Sequence, residues 1–562
     1  MKVVIVGGVA GGATAAARIR RLDEHAEIVV FERSGYVSYA NCGLPYYIGG
    51  VIPYKEDLTL QSPEGFWERF RIDVRVRHAV TAIDPAARTV TVQDLERGVT
   101  FTESYDKLLL SPGAKPTRPP LPGIDSPRIF TLRTVEDTFR IRSFVERSAP
   151  RSAVLVGGGY IGLEMAENLA ELGLQVTVVQ RPRQLMNTLD YDMATFVHAA
   201  MRAHGVDLRL GSDVTGFADT AAGLRVELKG EAPLEADMVL LAIGVSPDSE
   251  LARKAGLELG LKGSIVVNDR METSVPDIYA VGDAVQVRHT VTGENAVISL
   301  AGPANKQGRI AADNICGLDS RYPGSLGSSV VKVFDLTAAC TGVNETNAGK
   351  AGLAVDKLYL SPGNHASYYP GSQVLTMKVV FDKNTWRLLG AQIVGGDGAD
   401  KRIDVLSAAI QAGMDVRALS GLQLAYAPPY ASAKDPVNLI GYMAENLAAG
   451  LVKNFHWHEL DSLPRDGSAV LLDVRTPGEY ARGHAEGFVN IPVDELRERL
   501  GEIPRGKPTY VNCQSGLRSY IACRILAQEG FDCFNLSGGW RLYSTAVKDA
   551  DAARQALPCG KE

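Results

Sequence analysis

The chain has 562 residues, 45% apolar and 22% charged. That is too long for one hydrophobic core, so roughly three to five domains of ~100–200 residues are expected. The ordinary globular balance excludes a disordered chain, a collagen or a coiled coil. With 59 basic against 65 acidic residues and a net charge of −6, the footprint of a nucleic-acid binder is missing. No stretch of 18 uncharged apolar residues occurs, so no membrane span is expected. Residues 2–17 imitate a secretion signal, but the same residues carry a glycine fingerprint from Gly7 and are read as folded protein. The cysteines (Cys42, Cys316, Cys340, Cys513, Cys523, Cys533 and Cys559) show neither disulfide nor zinc spacing. A reducing cytoplasm is therefore expected, with single thiols as candidates for chemistry.

In chain order, residues 2–6 are a continuous apolar run, as in a parallel strand buried on both faces. A glycine turn follows, then an alanine-rich helix over 13–22 and a strand over 27–31 ending at Glu32. The same unit returns at strand 153–156, turn 157–162, helix 163–172 and strand 176–179. Between the copies lie polar alternating strands and a proline-rich crossover at 116–122; after them come strands near 238–243 and 278–280. Residues 327–450 alternate strands with two helical stretches and lack a glycine fingerprint. A change of composition over 451–464 leads into a separate α/β unit. The fold class is α/β, with two interleaved Rossmann-type dinucleotide-binding domains, an α+β domain and a C-terminal α/β domain.

Gly157-Gly158-Gly159-Tyr160-Ile161-Gly162 satisfies G-x-G-x-x-G between strand and helix. The first glycine permits the tight turn, the second admits the pyrophosphate to the backbone, and the third lets helix pack on strand. The helix N-terminus then offers unpaired N–H groups to phosphate. The first copy, Gly7-Gly8-Val9-Ala10-Gly11-Gly12, has Val9 where the middle glycine belongs. Glu32, 25 residues after Gly7 and followed by Arg33, suits an adenosine ribose hydroxyl, the alternative being a solvated strand-end carboxylate. The second copy ends in Gln180-Arg181-Pro182-Arg183, with no acid. Its arginines either accommodate a 2′-phosphate, so that NADPH serves as well as NADH, or are solvated surface.

Two further segments, Leu110 to Gly113 with Pro112 between and Tyr279 to Asp283 with Gly282 between, resemble the later FAD-contact motifs of the two-dinucleotide-binding flavoprotein reductases. The resemblance implies FAD on the first fingerprint, NADH or NADPH on the second, and a hydrogen bond from the ribityl chain to Asp283. The implied cofactor-binding set is Gly7 to Gly12, Glu32, Arg33, Asn41, Pro112, Gly113, Gly157, Gly159, Tyr160, Ile161, Gly162, Gln180, Arg181, Gly244, Gly282, Asp283 and Ala301.

Cys42 lies ten residues beyond Glu32, with Pro45 placed to open a helix just after it. A thiol near a helix N-terminus has its thiolate favoured. The next cysteine is Cys316, so a dithiol mechanism is not expected. A lone thiolate forms a mixed disulfide, a persulfide or a sulfenic acid. The segment Ser38 to Tyr46 resembles the single-cysteine branch of the family: coenzyme A disulfide reductases, NADH oxidases and NADH peroxidases. The peroxidases carry a histidine in the first glycine loop, where this chain has Ala10. The resemblance to the coenzyme A disulfide reductases implies coenzyme A contacts at Thr14, Arg18, Arg21, Ser38 and Asn41, together with Asn305 and Lys434. It also implies a homodimer in which tyrosines of the third domain approach the partner's cysteine. Tyr369 and Tyr430 are the candidate proton donors, with Tyr368 and Tyr426 as close rivals and interface packing as the alternative.

The C-terminal unit resembles a rhodanese domain through Leu471 to Arg475, Gly483-His484, Asn490 to Pro492, Cys513 to Ser519 and Leu536 to Trp540. Cys513 enters a short loop whose N–H groups and Arg518 suit a thiolate or persulfide. Four residues separate Cys513 from Arg518, the loop length that in this superfamily goes with sulfur transfer. An inactive binding module is the alternative. Cys523 and Cys533 are expected to pack in this domain. Boundaries are set at 1–112 and 246–326 for the FAD domain, 113–245 for the NAD(P)H domain, 327–450 for the dimerisation domain, and 451–562 for linker and rhodanese domain. The whole resembles the coenzyme A disulfide reductase–rhodanese fusions, also described as NAD(P)H-dependent persulfide or polysulfide reductases. That implies coenzyme A persulfide, polysulfide or disulfide as substrate. The rivals are an NADH oxidase or peroxidase cycling Cys42 through sulfenic acid, and a flavoprotein redox sensor with a non-catalytic module.

Overall fold

A computed structural model describes residues 1–221 and 223–555, so Cys559 lies outside the described residues. The chain divides into two units, one made of Met1–Arg183 and Gly205–Gly327, the other of Gln184–His204 and the chain from Ser328 onward.

The first unit holds two parallel five-stranded sheets. One runs Ile278–Ala280, Lys107–Leu110, Lys2–Val6, Glu27–Glu32, Asp73–Val76. The other runs Asp207–Leu210, Gln175–Gln180, Ser152–Val156, Met238–Leu241, Ile129–Phe130. The duplication is visible in register. Lys2 to Val6 pairs with Glu27 to Phe31, and Ser152 to Val156 pairs with Gln175 to Val179. Both fingerprint strands are central and buried, which explains their unbroken Val/Ile/Leu runs. Each therefore delivers its glycine turn at the carboxyl edge of its sheet, where open α/β sheets bind ligands.

Gly7 and Gly157 open these turns at φ +94° and +111°, which a side chain rarely adopts. A Cβ at either would also strike a neighbouring backbone carbonyl, that of Ser111 or of Ala242. The helices that follow, Ala10–Leu22 and Tyr160–Glu171, start from those turns. Ala10–Leu22 crosses Ala301–Ile315 at Gly11 and Gly308, so closely that a Cβ on Gly308 would overlap the Gly11 carbonyl.

In the second unit an antiparallel sheet runs Ser329–Val333, Leu336–Gly342, Leu388–Gly395, Leu375–Asp382, Val355–Leu360. A parallel sheet, Asn454–Phe455, Cys533–Leu536, Thr509–Asn512, Val470–Asp473, Val489–Asn490, forms the C-terminal domain with helices Leu517–Gln528 and Gly539–Gln555. Helix Tyr191–Ala203 follows the second fingerprint in sequence but belongs to this second unit. It is held there by polar contacts that hydrophobic periodicity does not reveal. Lys378, fully buried on the antiparallel sheet, bonds Asp190, Asp192 and Glu345. Asp192 also accepts from Tyr359 and from the Trp457 indole at 3.2 Å, and Asp549 of the last helix takes Tyr191 and Arg202. Three carboxylates around one lysine compensate a charge that burial alone would make prohibitive. No helix among the described residues is long and apolar enough to cross a membrane.

Candidate active site

In the first glycine loop, Glu32 accepts from Gly8 N at 2.9 Å and from Ser34 N at 2.8 Å. In the second, Gln180 Oε1 accepts from Gly158 N at 3.0 Å. The two strand-end side chains do the same local work, one as an anion and one as a neutral amide. Arg181 and Arg183 are exposed, and neither makes an ion pair among the described residues. Around Gly159 nothing lies within 4 Å of where a Cβ would stand, so the backbone there is open to a bulky anion. Gly282 and Asp283 lie in the short turn Gly282–Ala284 at the carboxyl end of Ile278–Ala280, Gly282 N donating to Gln307 at 2.7 Å. Pro112 and Gly113 follow the neighbouring strand Lys107–Leu110.

Cys42 is exposed and sits in a 3₁₀ turn, Asn41–Gly43, leading into Leu44–Ile48 with Pro45 in its first turn. The helix is where the sequence put it, but its expected effect on the thiol is not the dominant one. Desolvation by the protein on its inner side raises the Cys42 pKa first, and the Glu164 and Asp283 carboxylates add to it; Arg133 alone acts downward. A five-residue helix has little dipole to set against two acids. Arg133 Nη2 bonds Asp283 at 2.9 Å. With its amide turned to suit its neighbours, Asn41 donates to the Arg133 carbonyl and accepts from Nη1, both at 3.0 Å. Glu164 accepts from the Tyr46 hydroxyl at 3.2 Å, and burial lifts its carboxyl to about 7. Arg133, Glu164 and Tyr46 were not singled out by sequence. Tyr46 lies in the Cys42 segment and Glu164 two residues past the second fingerprint, whereas nothing local marks Arg133.

Of the residues matched to coenzyme A, Thr14 and Asn305 are joined by a 2.7 Å bond. Arg18 is committed to Asp313 at 2.7 Å, while Arg21 is exposed. Ser38, at φ +47°, donates its N–H to the Gly8 carbonyl, which ties the Cys42 segment to the first glycine loop. Lys434 is exposed and belongs to the second unit. In that unit the tyrosine hydroxyls in contact are those of Tyr368 and Tyr426, 2.8 Å apart. Tyr369 instead packs edge-on against His365, and Tyr430 is 72% exposed.

Cys513 directly follows the strand Thr509–Asn512 and is fully buried. Its Sγ accepts from Gly516 N and from the Ser519 hydroxyl, each at 3.2 Å. Gly516 has φ +96°, the geometry that turns its N–H toward the sulfur. Segment 538–541 closes the loop from beneath: Trp540 N donates to the Cys513 carbonyl at 2.7 Å and Arg541 N to that of Gln514 at 3.0 Å. A Cβ on Gly539 would strike the same carbonyl of Cys513. Arg518 is turned onto Glu479, Nη1 and Nη2 each bonding one carboxylate oxygen at 2.7 Å. Cys523 and Cys533 are buried in this domain's core, as expected.

The model of the pyridine nucleotide-disulphide oxidoreductases matches residues 1–308, that of their dimerisation domain residues 328–436, and that of the rhodanese-like domain residues 456–546. The chain belongs to the pyridine nucleotide-disulphide oxidoreductase family. This oxidoreductase is 38% identical over 445 residues to the coenzyme A disulfide reductase of Staphylococcus aureus (strain JH9), covering 79% of this chain and all of the relative. It resembles the reduced Bacillus anthracis CoADR-RHD at 47% identity and TM-score 0.95, over 98% of each chain. It also resembles an NAD-dependent persulfide reductase from A. fulgidus at 39% identity and TM-score 0.91, over 97% of this chain and 100% of that one.

As a member of this family the protein is a flavoenzyme that works with FAD and NAD(H). The donor set fits both groups: two left-handed glycine turns at central strand ends, an open backbone at Gly159, and an acid, Asp283, at the third strand end. The resemblance to flavoprotein reductases and to rhodaneses drawn from the sequence motifs is thus borne out.

Proposed function

We propose that this chain reduces a coenzyme A persulfide, polysulfide or disulfide with NADH or NADPH through Cys42, and that Cys513 carries sulfane sulfur. The observation that carries this is the presence, in one polypeptide, of an exposed lone thiol in the flavoprotein unit and a second thiol cradled by N–H and O–H donors in the rhodanese-like domain. FAD bound at the first fingerprint supplies two-electron transfer from the nicotinamide to sulfur. Cys42 thiolate attacks the inner sulfur of the persulfide, forming a mixed disulfide with coenzyme A and expelling hydrosulfide. Two electrons and one proton from NAD(P)H then restore Cys42 and release coenzyme A as the thiol. With the disulfide as substrate the first leaving group is coenzyme A thiolate instead.

A leaving thiolate needs a proton, and two pairs suit that task. Tyr46 and Glu164 lie within the Cys42 unit, Glu164 holding a proton up to near-neutral pH. Tyr368 and Tyr426 form the linked hydroxyl pair of the dimerisation domain, which in a homodimer serves the partner's cysteine. Ser38, Asn41, Thr14, Asn305, Arg21 and Lys434 are assigned to coenzyme A, with Arg18 available only by exchanging Asp313 for phosphate. Ala10 gives a bound peroxide no proton donor, which favours sulfur chemistry over peroxide reduction. The low cysteine count suits a reducing cytoplasm.

The test is anaerobic NADH and NADPH oxidation with coenzyme A persulfide and with coenzyme A disulfide, sulfide release being followed in parallel for the parent protein and for Cys42→Ser. Sulfide formed by the parent and lost in the variant is expected. Fast turnover on the disulfide with negligible turnover on the persulfide would leave a thiol-maintenance reductase.

A further inference from the structure

The cation of the Cys513 loop is already neutralised. Both Nη groups of Arg518 are bonded to Glu479 at 2.7 Å, and the residues between Cys513 and Arg518, namely Gln514, Ser515, Gly516 and Leu517, carry no charge. The nearby Arg475 is likewise matched, through Nε and Nη2, by the buried Asp473. Arg541, under the loop, turns away to Thr376 and the Phe196 ring. Next to the loop, Leu517 is 64% exposed and Ile521, one turn on along the same helix, is exposed too. The loop thus has hydrogen-bond donors for one sulfur and an apolar rim, but no uncompensated positive charge of its own.

We propose that Glu479 sets the choice of sulfur donor: by neutralising Arg518 it makes the Cys513 loop a site for organic persulfides and a poor one for the thiosulfate dianion. This rests on Cys513 being a sulfur carrier. The transfer is Cys513–S⁻ + R–S–SH → Cys513–S–SH + R–S⁻, in which the new S–S bond forms on the outer sulfur as the donor's own S–S bond breaks. With thiosulfate the leaving group is sulfite, and a dianion must approach a thiolate whose loop has its own guanidinium, Arg518, already paired with Glu479. An organic persulfide brings at most one charge at its sulfur end, so it meets a smaller barrier than the dianion, and Gly516 N and Ser519 Oγ receive the transferred sulfur.

Glu479 also caps helix Pro477–Ala481 in a box with Thr476, and glutamine keeps that cap while removing the charge. The experiment measures, by mass spectrometry, the rate at which Cys513 of the full chain becomes persulfidated by thiosulfate and by glutathione persulfide, in a Cys42→Ser background. Glutathione persulfide is expected to load it at least ~10 times faster than thiosulfate. Glu479→Gln should raise the thiosulfate rate about tenfold, leave the persulfide rate within about twofold, and make the thiosulfate rate fall with added salt. Leu517→Lys, which adds a cation at an exposed position, should move the ratio the same way without disturbing the cap. Equal loading of the parent by both donors, or no thiosulfate gain in either variant, overturns the donor proposal. Loading by neither donor overturns the carrier role of Cys513 itself.

Discussion

The two thiols of this chain are handled in opposite ways. Cys42 is exposed, is pressed upward in pKa by desolvation and two carboxylates, and has Arg133 as its one cationic offset. Cys513 is buried, receives an amide and a hydroxyl proton, and its neighbouring guanidinium is already matched by Glu479. On the proposed function Cys42 is an electron-transfer thiol that must remain open to substrate and cofactor, and the charges acting on it from the side are Glu164, Asp283 and Arg133. A group-transfer thiol can be built into a fixed cradle. Exposure and electrostatics together separate the two tasks where cysteine content alone does not.

The sharpest way to break this division is the reciprocal pair of substitutions. Cys42→Ser should abolish NAD(P)H-dependent sulfide release, a fall of at least ~10³-fold as for loss of any essential nucleophile, yet leave Cys513 persulfidation intact. Cys513→Ser should leave coenzyme A disulfide reduction within about twofold and abolish sulfur loading in the C-terminal domain. If either variant loses both activities, the thiols act as one relay and the comparison fails.

A smaller effect probes the cation. Arg133→Gln removes the only downward influence on the Cys42 thiol and frees Asp283 from its 2.9 Å partner. The thiol pKa should rise further, slowing alkylation of Cys42 by iodoacetamide near pH 7 about tenfold. An unchanged alkylation rate, with intact flavin binding, would show that Asn41 and the turn, not Arg133, govern the thiol. Arg133→Lys should recover part of the rate, because charge returns while the two-sided pairing with Asn41 does not.

Much of the fold was legible because it is written locally. The glycine turns, the buried parallel strands and the loop from Cys513 to Arg518 each occupy one short window, so spacing alone discloses their geometry. The control elements are not local. Arg133 meets Asp283 across 150 residues, and Glu479 meets Arg518 across 39. Glu479 looks in sequence like an ordinary first-turn helix acid, which it also is. The four tyrosines fall in two short segments, and spacing does not show which of them meet; the hydroxyls of Tyr368 and Tyr426 lie 2.8 Å apart, a contact between segments 58 residues apart. Helix Tyr191–Ala203 has an amphipathic pattern compatible with either unit, and the buried Lys378 cluster decides where it packs.

The smallest expected effect tests whether the acids beside Cys42 act on it through charge. Glu164 titrates at about 7 because it is buried, and its carboxylate raises the thiol pKa. Below pH 7 the carboxyl is protonated and neutral, so parent and Glu164→Gln should be alkylated at the same rate. Above pH 7 the parent gains a negative charge that disfavours the thiolate, while the variant does not. The two pH profiles should therefore diverge on the alkaline side only, the variant reacting about threefold faster near pH 8. Glutamine still accepts from the Tyr46 hydroxyl, so loss of that bond does not confuse the result. Profiles that coincide throughout would mean that solvent at the exposed face of Cys42 screens Glu164. Divergence on the acid side would mean that the glutamine acts by shape, and charge control of the exposed thiol would then rest on Arg133 and Asp283 alone.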